Sequence, residues 1–306
     1  MIPVPFWPRT PSPSCGTIAS MRVARSFSEL RTLLPPSRTV RTWLVPTMGA
    51  LHDGHGALID RAKSEGEFVA VSIFVNPLQF GPGEDLDRYP RTEAEDLDFL
   101  EGRGTDLVFL PSAGEIVPPG GQVTVSAGPA GKLYCGVSRP GHFDGVLTIV
   151  LKLFHLFSPE GAIFGEKDRQ QLFLIQTMVR DLNLSVRVLG HPTVREPDGL
   201  ALSSRNRYLS PEERKQAALF PSLLERTATR WSELAGRDPE ERLALRDDLS
   251  RSLEGAGFRV DYVAIADRQT FLPVTGPEIP PQAFLLAAVF LGKTRLIDNQ
   301  ELSSGV

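Results

Sequence analysis

The sequence predicts an α/β protein with a parallel sheet in its first two thirds and a smaller α+β domain at its C-terminal end. Two observations support this prediction. Short apolar runs alternate with helical patterns up to about residue 193, which is typical of strands and helices in a parallel sheet. The pattern then changes to helices followed by three strand-like runs. We therefore divide the chain into residues 21–193 and 194–306.

The predicted strands of the first domain are short and apolar. Residues 68–75 form a near-continuous apolar run, as expected of a strand that is buried on both faces. The helices are predicted where apolar side chains recur at helical spacing. The predicted strands are residues 43–47, 68–75, 106–110, 162–164 and 185–189. The predicted helices are residues 54–64, 92–102, 142–157 and 167–181.

Two helix-start signals predict the helices of the C-terminal domain. The four residues from Ser210 to Glu213 form a capping box with proline at the first helical position. Residues 238–241 repeat this signature and open a second helix that ends near Gly255. Three strand-like runs then close the chain, at residues 259–266, 284–291 and 294–302.

Composition and charge narrow the classes of function. The 306 residues have a formal net charge of -4, and the absence of a basic excess favours a small-molecule partner over a nucleic acid. No apolar run reaches the length of a membrane-spanning helix. Cys15 and Cys135 are too few for a disulfide framework in a chain this long, which favours free thiols in a cytoplasmic protein. Residues 1–20 are rich in Pro and Ser, make a poor secretory signal and predict a disordered extension before Met21.

The most specific signal runs from Val45 to His55, where a predicted strand leads through a glycine-containing turn into a helix. His52 and His55 stand near the start of that helix, where unpaired amides and the helix dipole favour an anion. Gly54 lets the chain approach a ligand closely. Imidazole donors and helix amides together suit a triphosphate. The alternatives are two ordinary surface histidines or a zinc site, and the zinc reading lacks a nearby cysteine.

A second group lies between the strand at residues 162–164 and the following helix. Lys167 can act as a point charge on phosphate, and Asp168 is a suitable cap for the helix. Gln171 follows one turn later and is predicted to face the same cavity. Taken alone, this group is more typical of a solvated charged turn.

A third group is the run from Leu202 to Arg207. The hydroxyls of Ser203 and Ser204 beside the Arg205 guanidinium can clamp a phosphate, although such a run is also typical of a polar interdomain loop. Together the three groups describe a nucleotide site that works by positioning and charge stabilisation, without a nucleophile triad.

The run from Pro46 to His55 resembles the Pro-Thr-Met-Gly-Ala-Leu-His-x-Gly-His motif of the pantothenate synthetase family. The resemblance extends in order from about Met21 to Asn299. Further similar segments are residues 72–77 with 79–81, 89–92, 139–143, 164–168 and 203–206. This family belongs to the wider nucleotidylyltransferase group, so the resemblance implies a Rossmann-like sheet with the C-terminal domain as a lid.

The resemblance implies an ATP-dependent ligase that condenses pantoate with β-alanine through a pantoyl adenylate and releases pyrophosphate and AMP. The implied catalytic residues are His52, His55 (as the proton donor), Lys167, Ser203, Ser204 and Arg205. Gln79 and Gln171 would hold pantoate, and Gln79 would also contact β-alanine. The implied ATP-binding residues are Met48, Gly49, Ala50, Leu51, His52, Asp53, Gly54, His55, Gly165, Glu166, Lys167, Asp168, Val194, Leu202, Ser203, Ser204 and Arg205.

The resemblance also implies Mg²⁺ on the phosphates, with Asp96 or Glu95 reaching it through water, and a homodimer formed through the first domain. One residue departs from the family pattern, because Leu202 stands where methionine is usual. Exchange between these two side chains nearly conserves volume and should cost less than about 1.5 kcal/mol.

Two other functions remain in competition. A related nucleotidylyltransferase would pass AMP to a phosphate, but the amides of Gln79 and Gln171 suit an uncharged, hydroxyl-bearing acid better than a second phosphate. A nucleotide sensor with an inactive site would be favoured by the loss of His55 or Lys167, and both are present.

Overall fold

A six-stranded parallel sheet forms the first domain of the computed structural model, which describes residues 20–35, 40–276 and 278–303. The strands lie in the order β1-β4-β3-β2-β5-β6. They are β1 (Arg22–Ala24), β2 (Thr42–Thr47), β3 (Phe68–Ile73), β4 (Leu107–Phe109), β5 (Gly161–Gly165) and β6 (Arg187–His191). Apart from Ser20, the predicted extension at residues 1–20 lies outside the described residues, and so does Cys15.

Helices cover both faces of this sheet. Leu44 of β2 belongs to an apolar cluster that includes residues of α6 and α7, whereas its neighbour Val45 belongs to a cluster with α2 and α3. Successive side chains of a strand point to opposite faces, so a strand covered on both sides is largely apolar, and β3 is buried along its whole length with Ser72 as its one polar residue. The helices are α1 (Phe27–Leu33), α2 (Asp53–Glu65), α3 (Glu93–Gly102), α4 (Ala113–Ile116), α5 (Cys135–Ser138), α6 (His142–Phe157) and α7 (Arg169–Asp181).

The winding of the sheet reverses between β2 and β5. From β2 the chain proceeds to β3 and β4 on one side, and it then returns to place β5 and β6 on the other. β2 and β5 are neighbours, with Leu44 opposite Ala162. Ligands of open parallel sheets bind beyond the carboxyl ends of the strands at such a reversal. The two motifs that follow β2 and β5 therefore meet at one crevice.

The C-terminal domain is a three-stranded antiparallel sheet with helices against it. Its strands are β7 (Arg259–Asp267), β8 (Gln282–Leu291) and β9 (Thr294–Ser303), and its helices are α8 (Pro211–Ala217), α9 (Leu219–Glu233) and α10 (Pro239–Gly255). The capping box at Ser210 is present. The helix that it opens is interrupted at Ala218, since Pro221 cannot donate a bond to the carbonyl one turn before it.

The predicted elements are present with shifted ends. The unpredicted elements β1 and α1 precede them, and the short helices α4 and α5, also unpredicted, lie between β4 and α6. β1 has only three residues, which is too short for a periodic pattern. The helix predicted at residues 167–181 starts at Arg169, because residues 166–168 form a tighter 3₁₀ turn. Asp168 stands at the helix start but makes no side-chain capping bond, so the prediction that it caps α7 is wrong.

Candidate active site

A cavity of about 1060 Å³ lies at the crevice and extends to the C-terminal domain. Most of the predicted site residues line it. They are Met48, His52, Gly54, His55, Gln79, Gly165, Lys167, Asp168, Gln171, Val194, Leu202, Ser203, Ser204 and Arg205. The remaining predicted residues, Gly49, Ala50, Leu51, Asp53, Glu95, Asp96 and Glu166, are not among those that line it. All three sequence motifs therefore contribute to one site.

The two histidines form a reciprocal cap at the start of α2. His52 Nδ1 accepts the backbone N–H of Gly54 at 3.2 Å, and His55 Nδ1 accepts the backbone N–H of His52 at 3.3 Å. Their ring centroids are 4.1 Å apart. Because each Nδ1 is an acceptor, the ring proton resides on Nε2. Each ring can thus offer an Nε2–H donor to a ligand in the cavity that it lines.

Both imidazoles are neutral near pH 7. Burial, followed by the charge of the Lys167 ammonium, lowers the pKa of His52 to about 4. Burial likewise lowers the pKa of His55 to about 3, with contributions from His52 and Lys167. The Lys167 ammonium thus lies close enough to both rings to lower the pKa of each. The site can therefore present two neutral donors and one cation to an anionic ligand.

The turn between β2 and α2 is held by Asp96. One carboxylate oxygen accepts the backbone N–H of Ala50 at 2.9 Å, and the other accepts that of Leu51 at 2.8 Å. Gly49 and Ala50 have positive φ values of 79° and 51°, a conformation that is costly for alanine. Asp96 is buried. It therefore stabilises the strained turn that leads to the histidines.

The expected magnesium contact involves Asp96 and its neighbour Glu95. Both oxygens of Asp96 are engaged by the turn, and the Glu95 side chain lies in an exposed position outside the cavity lining. Among the described residues no group of three His, Cys, Asp or Glu side chains could hold a metal ion. The role of Asp96 or Glu95 in reaching Mg²⁺ through water stays a prediction.

Lys167 lies in the 3₁₀ turn Glu166–Asp168, directly after β5. Its side chain lines the cavity and is mostly buried, and its ammonium lies 3.9 Å from the Asp168 carboxylate. Such an exposed, loosely placed carboxylate neutralises an ammonium only weakly. Lys167 is therefore available as a cation for an anion that enters the cavity.

The amide of Gln79 is oriented by its neighbours. It belongs to the 3₁₀ turn Pro77–Gln79, and its Oε1 accepts the side-chain N–H of Asn76 at 3.0 Å. The backbone oxygen of Gln79 accepts a bond from His142 Nδ1 at 2.7 Å and one from Arg139 Nη2 at 3.3 Å. Burial lowers the pKa of His142 to about 4, so this ring is also neutral. No sequence signal singled out Asn76, although it lies within a segment that resembles the family.

Apolar side chains also line the cavity. They form a wall to which α6 contributes Val146, Ile149, Val150 and Leu153. Phe164 at the end of β5 adds to it. Gln171, on the first turn of α7, borders the same cavity. A cavity lined by apolar, mostly branched side chains and two carboxamides suits a ligand with a methylated body and hydroxyl groups.

The Ser-Ser-Arg segment is engaged by the first domain in this structure. Arg205 makes a two-point ion pair with Asp85, at 3.0 Å from both Nε and Nη2. Burial alone would raise the pKa of Asp85, but the bonds from Arg205 hold it below its ordinary value. Ser204 Oγ lies 3.2 Å from the Tyr89 hydroxyl. In this structure the arginine of the predicted phosphate clamp is therefore already paired with a carboxylate. That carboxylate, Asp85, is a site residue that no sequence motif predicted.

Comparisons with known proteins point to one family. The family model for pantoate-beta-alanine ligase matches residues 22–301. A pantothenate synthetase from Acidothermus cellulolyticus is 49% identical over 282 residues, which cover 92% of this chain and 91% of that protein. Another, from Pseudomonas savastanoi pv. phaseolicola, is 47% identical over 287 residues, which cover 92% of this chain and 99% of the relative.

Solved structures agree with these sequence matches. A pantothenate synthetase from Thermus thermophilus superposes with a TM-score of 0.83 at 46% identity, covering 92% of this chain and 99% of that one. A pantoate-beta-alanine ligase from Francisella tularensis, complexed with beta-gamma ATP and beta-alanine, superposes with a TM-score of 0.76 at 32% identity, covering 94% and 99%. The described helices include none that is long and apolar enough to cross a membrane.

Proposed function

The chain belongs to the pantoate–β-alanine ligase family and is an enzyme of that class, and we propose that it works through a pantoyl adenylate. In the first step a carboxylate oxygen of pantoate bonds to the α-phosphorus of ATP. The bond from that phosphorus to the bridging oxygen breaks, and pyrophosphate leaves. In the second step the amine of β-alanine bonds to the acyl carbon, the bond to AMP breaks, and the nitrogen loses a proton. The product is pantothenate.

One observation carries this proposal. His52, His55 and Lys167 line one cavity at the β2–β5 reversal, and the two rings are neutral donors. Pyrophosphate gains negative charge as it leaves, so fixed donors and a cation stabilise the transition state more than bound ATP. We assign these three residues to the phosphates, with His55 as proton donor. Triphosphate charge raises imidazole pKa values and so favours that role.

The C-terminal segment completes the proposed ATP site. Val194 and Leu202 border the same cavity as the histidines, and the backbone N–H of Leu202 donates to the Val194 carbonyl at 3.0 Å. The hydroxyls of Ser203 and Ser204 and the guanidinium of Arg205 are proposed to contact the phosphates. Two donors of the Arg205 guanidinium, Nε and Nη2, already bond to Asp85. To contact a phosphate, Arg205 must therefore release Asp85 or bind both groups at once.

We place pantoate between α6 and the two carboxamides. Its dimethyl carbon fits the branched wall, while Gln79 and Gln171 can bond its hydroxyl and carboxylate oxygens. β-Alanine then approaches on the Gln79 side. We propose that Mg²⁺ enters as part of the MgATP substrate, because Mg²⁺ keeps several of its waters and is usually held by substrate phosphates with only one or two carboxylates.

The test is pyrophosphate release by purified protein with ATP and Mg²⁺, with and without pantoate, in the absence of β-alanine. We expect one pyrophosphate per active site only when pantoate is present. Addition of β-alanine should then convert the bound acyl group to pantothenate and release AMP. Intact ATP binding without pantoate-dependent release would refute the adenylate mechanism, and conversion of other small amines would show that the acceptor site is broad.

Three broader expectations are also proposals. We propose a boundary at residues 193 and 194, which falls between β6 and the bridge that pairs Arg195 with Ala201. We propose a homodimer through the first domain, to be checked by sedimentation of the intact protein against a monomer of 33.6 kDa. A cytoplasmic location is proposed from the cysteine content and is testable by cell fractionation.

A further inference from the structure

The turn that carries Lys167 is bonded to the last strand of the C-terminal domain. The side-chain amide of Asn299, on β9, donates to the backbone oxygens of Glu166 and Lys167, each at 3.0 Å. These two carbonyls belong to the 3₁₀ turn Glu166–Asp168. Asn299 is buried. One side chain therefore fixes two successive peptide groups of the turn, from the opposite side of the domain boundary.

The chemistry of this contact requires a carboxamide. The nitrogen of Asn299 has two hydrogens, and each carbonyl takes one of them. Its oxygen accepts a bond from Arg169 Nε at 3.3 Å, so both ends of the amide are used. Arg169 is itself held by Glu166 at 3.0 Å and stacks over the Phe284 ring at 4.5 Å. A carboxylate at position 299 would point an oxygen at two carbonyl oxygens and repel both.

The neighbouring residue on β9 holds the other ATP segment. The buried carboxylate of Asp298 makes a two-point ion pair with Arg195, at 2.6 and 2.9 Å, and Arg195 Nη1 donates to the Gly199 carbonyl at 3.0 Å. This segment runs from Val194 to Leu202, both of which line the cavity. Adjacent strand residues point to opposite faces. Asp298 and Asn299 thus anchor the two walls of the cavity to one strand.

We propose that Asn299 is a positioning residue that fixes the backbone of Lys167 and so aims its ammonium at the ATP phosphates. The proposal rests on the proposed function only in assigning those phosphates to Lys167. Asn299 acts through the turn and not through contact with a substrate. A coupling between positions 299 and 167 is therefore the expected signature, since a residue that only stabilised the fold would act on every variant alike.

The experiment is a double-mutant cycle on the full-length protein with Asn299→Asp and Lys167→Ala, measured as the rate of the pantoate-dependent pyrophosphate burst. We expect Asn299→Asp to slow the burst about tenfold, a fraction of the ~10²–10³ that one preorganised donor contributes. The half-saturating concentration of pantoate should change less than about twofold. In the Lys167→Ala background, Asn299→Asp should add less than about a twofold loss, because the aimed group is gone.

Gln300→Glu is the matched control, since it makes the same amide-to-carboxylate change one residue further along β9. It should leave the burst rate unchanged. Independent, multiplying effects of the two substitutions, or a full burst rate in Asn299→Asp, would overturn the proposal. If wild-type protein gives no pantoate-dependent pyrophosphate, the proposed function fails instead. The same cycle is then read from ATP affinity by calorimetry, where coupling supports the role of Asn299 and independence refutes it.

Discussion

Asp96→Asn changes one oxygen of the carboxylate that holds the turn before α2 into an amide nitrogen. In the wild-type structure the two oxygens accept the backbone N–H groups of Ala50 and Leu51. In the variant the new amide nitrogen, itself a donor, would face the backbone N–H of either Ala50 or Leu51. The substitution keeps the shape of the side chain, so any effect reports on hydrogen bonding and charge and not on packing.

The size of the effect follows from these two bonds. A hydrogen bond to a charged group contributes about 1.5–3 kcal/mol, and a neutral one about 0.5–1.5 kcal/mol. The variant loses one charge-assisted bond and weakens the other. Release of Ala50 from its left-handed conformation returns about 1–2 kcal/mol and limits the loss. We therefore expect the free energy of unfolding to fall by about 1–3 kcal/mol.

Denaturant unfolding followed by tryptophan fluorescence measures this loss, and a titration of Mg²⁺ in the pyrophosphate assay separates the two possible roles. If Asp96 holds the turn, Asp96→Asn should weaken ATP binding at every Mg²⁺ concentration. If Asp96 instead contacts the metal, excess Mg²⁺ should restore the activity of the variant. Asp98→Asn, on an exposed position of the same helix, is the control and should change unfolding by less than about 0.5 kcal/mol. Full stability of Asp96→Asn together with Mg²⁺ rescue would refute the reasoning.

Four further predictions concern the same site. Ala50→Gly should raise the free energy of unfolding by about 0.5–1 kcal/mol in denaturant titration, because glycine adopts the positive φ without strain. His55→Ala should slow the pyrophosphate burst about 10²-fold, whereas Gln171→Ala should raise the KM of pantoate about tenfold and leave that of ATP within about twofold. Stability should be full above about pH 6.5, the usual pKa of the unfolded histidines. It should fall towards pH 3 as the unfolded chain binds protons before His52 and His55, whose pKa values are about 4 and 3, and calorimetry can follow this decline.

Clear outcomes would contradict each of these. A destabilised Ala50→Gly would mean that the turn does not keep its positive φ. A burst unaffected by His55→Ala would remove that ring from the phosphates, and equal effects of Gln171→Ala on both substrates would remove it from the pantoate pocket. Stability that is flat between pH 6.5 and 4 in the wild type, or unchanged in slope in His52→Asn, would show that the rings are not buried as neutral bases.

Local patterns were sufficient for much of the fold. The sequence predicted β3 because six successive buried residues leave a near-continuous apolar run, and it predicted α6 from helical spacing. It also predicted that His52 and His55 begin a helix, and the structure confirms this with a reciprocal cap. What it could not predict was the tighter turn before α7, because the residues at 166–168 are compatible with either geometry.

The missing parts of the site involve contacts between distant segments. Asp85 pairs with Arg205, which is 120 residues further along the chain, and no local pattern links them. The family resemblance implies Asp96 near Mg²⁺, whereas its bonding partners in the structure are the backbone N–H groups of Ala50 and Leu51, which a sequence does not mark. Residues that act on the backbone of another segment are therefore the hardest to find from sequence.

The order of the strands in the sheet also bears on how the chain is made. β3 can pair with one edge of β2 soon after β2 is synthesised. The other edge of β2 stays unpaired until β5 is synthesised, because Trp43 pairs with Gly161. At about 5–20 residues per second, the apolar edge of β2 is unpaired on the ribosome for roughly 6–24 s. An open apolar strand edge promotes association between nascent chains. High-level expression should therefore lose protein to aggregates that form before residue 161 emerges. Slower synthesis at low temperature would not shorten this interval. A chaperone that covers the edge of β2 would protect the chain during it.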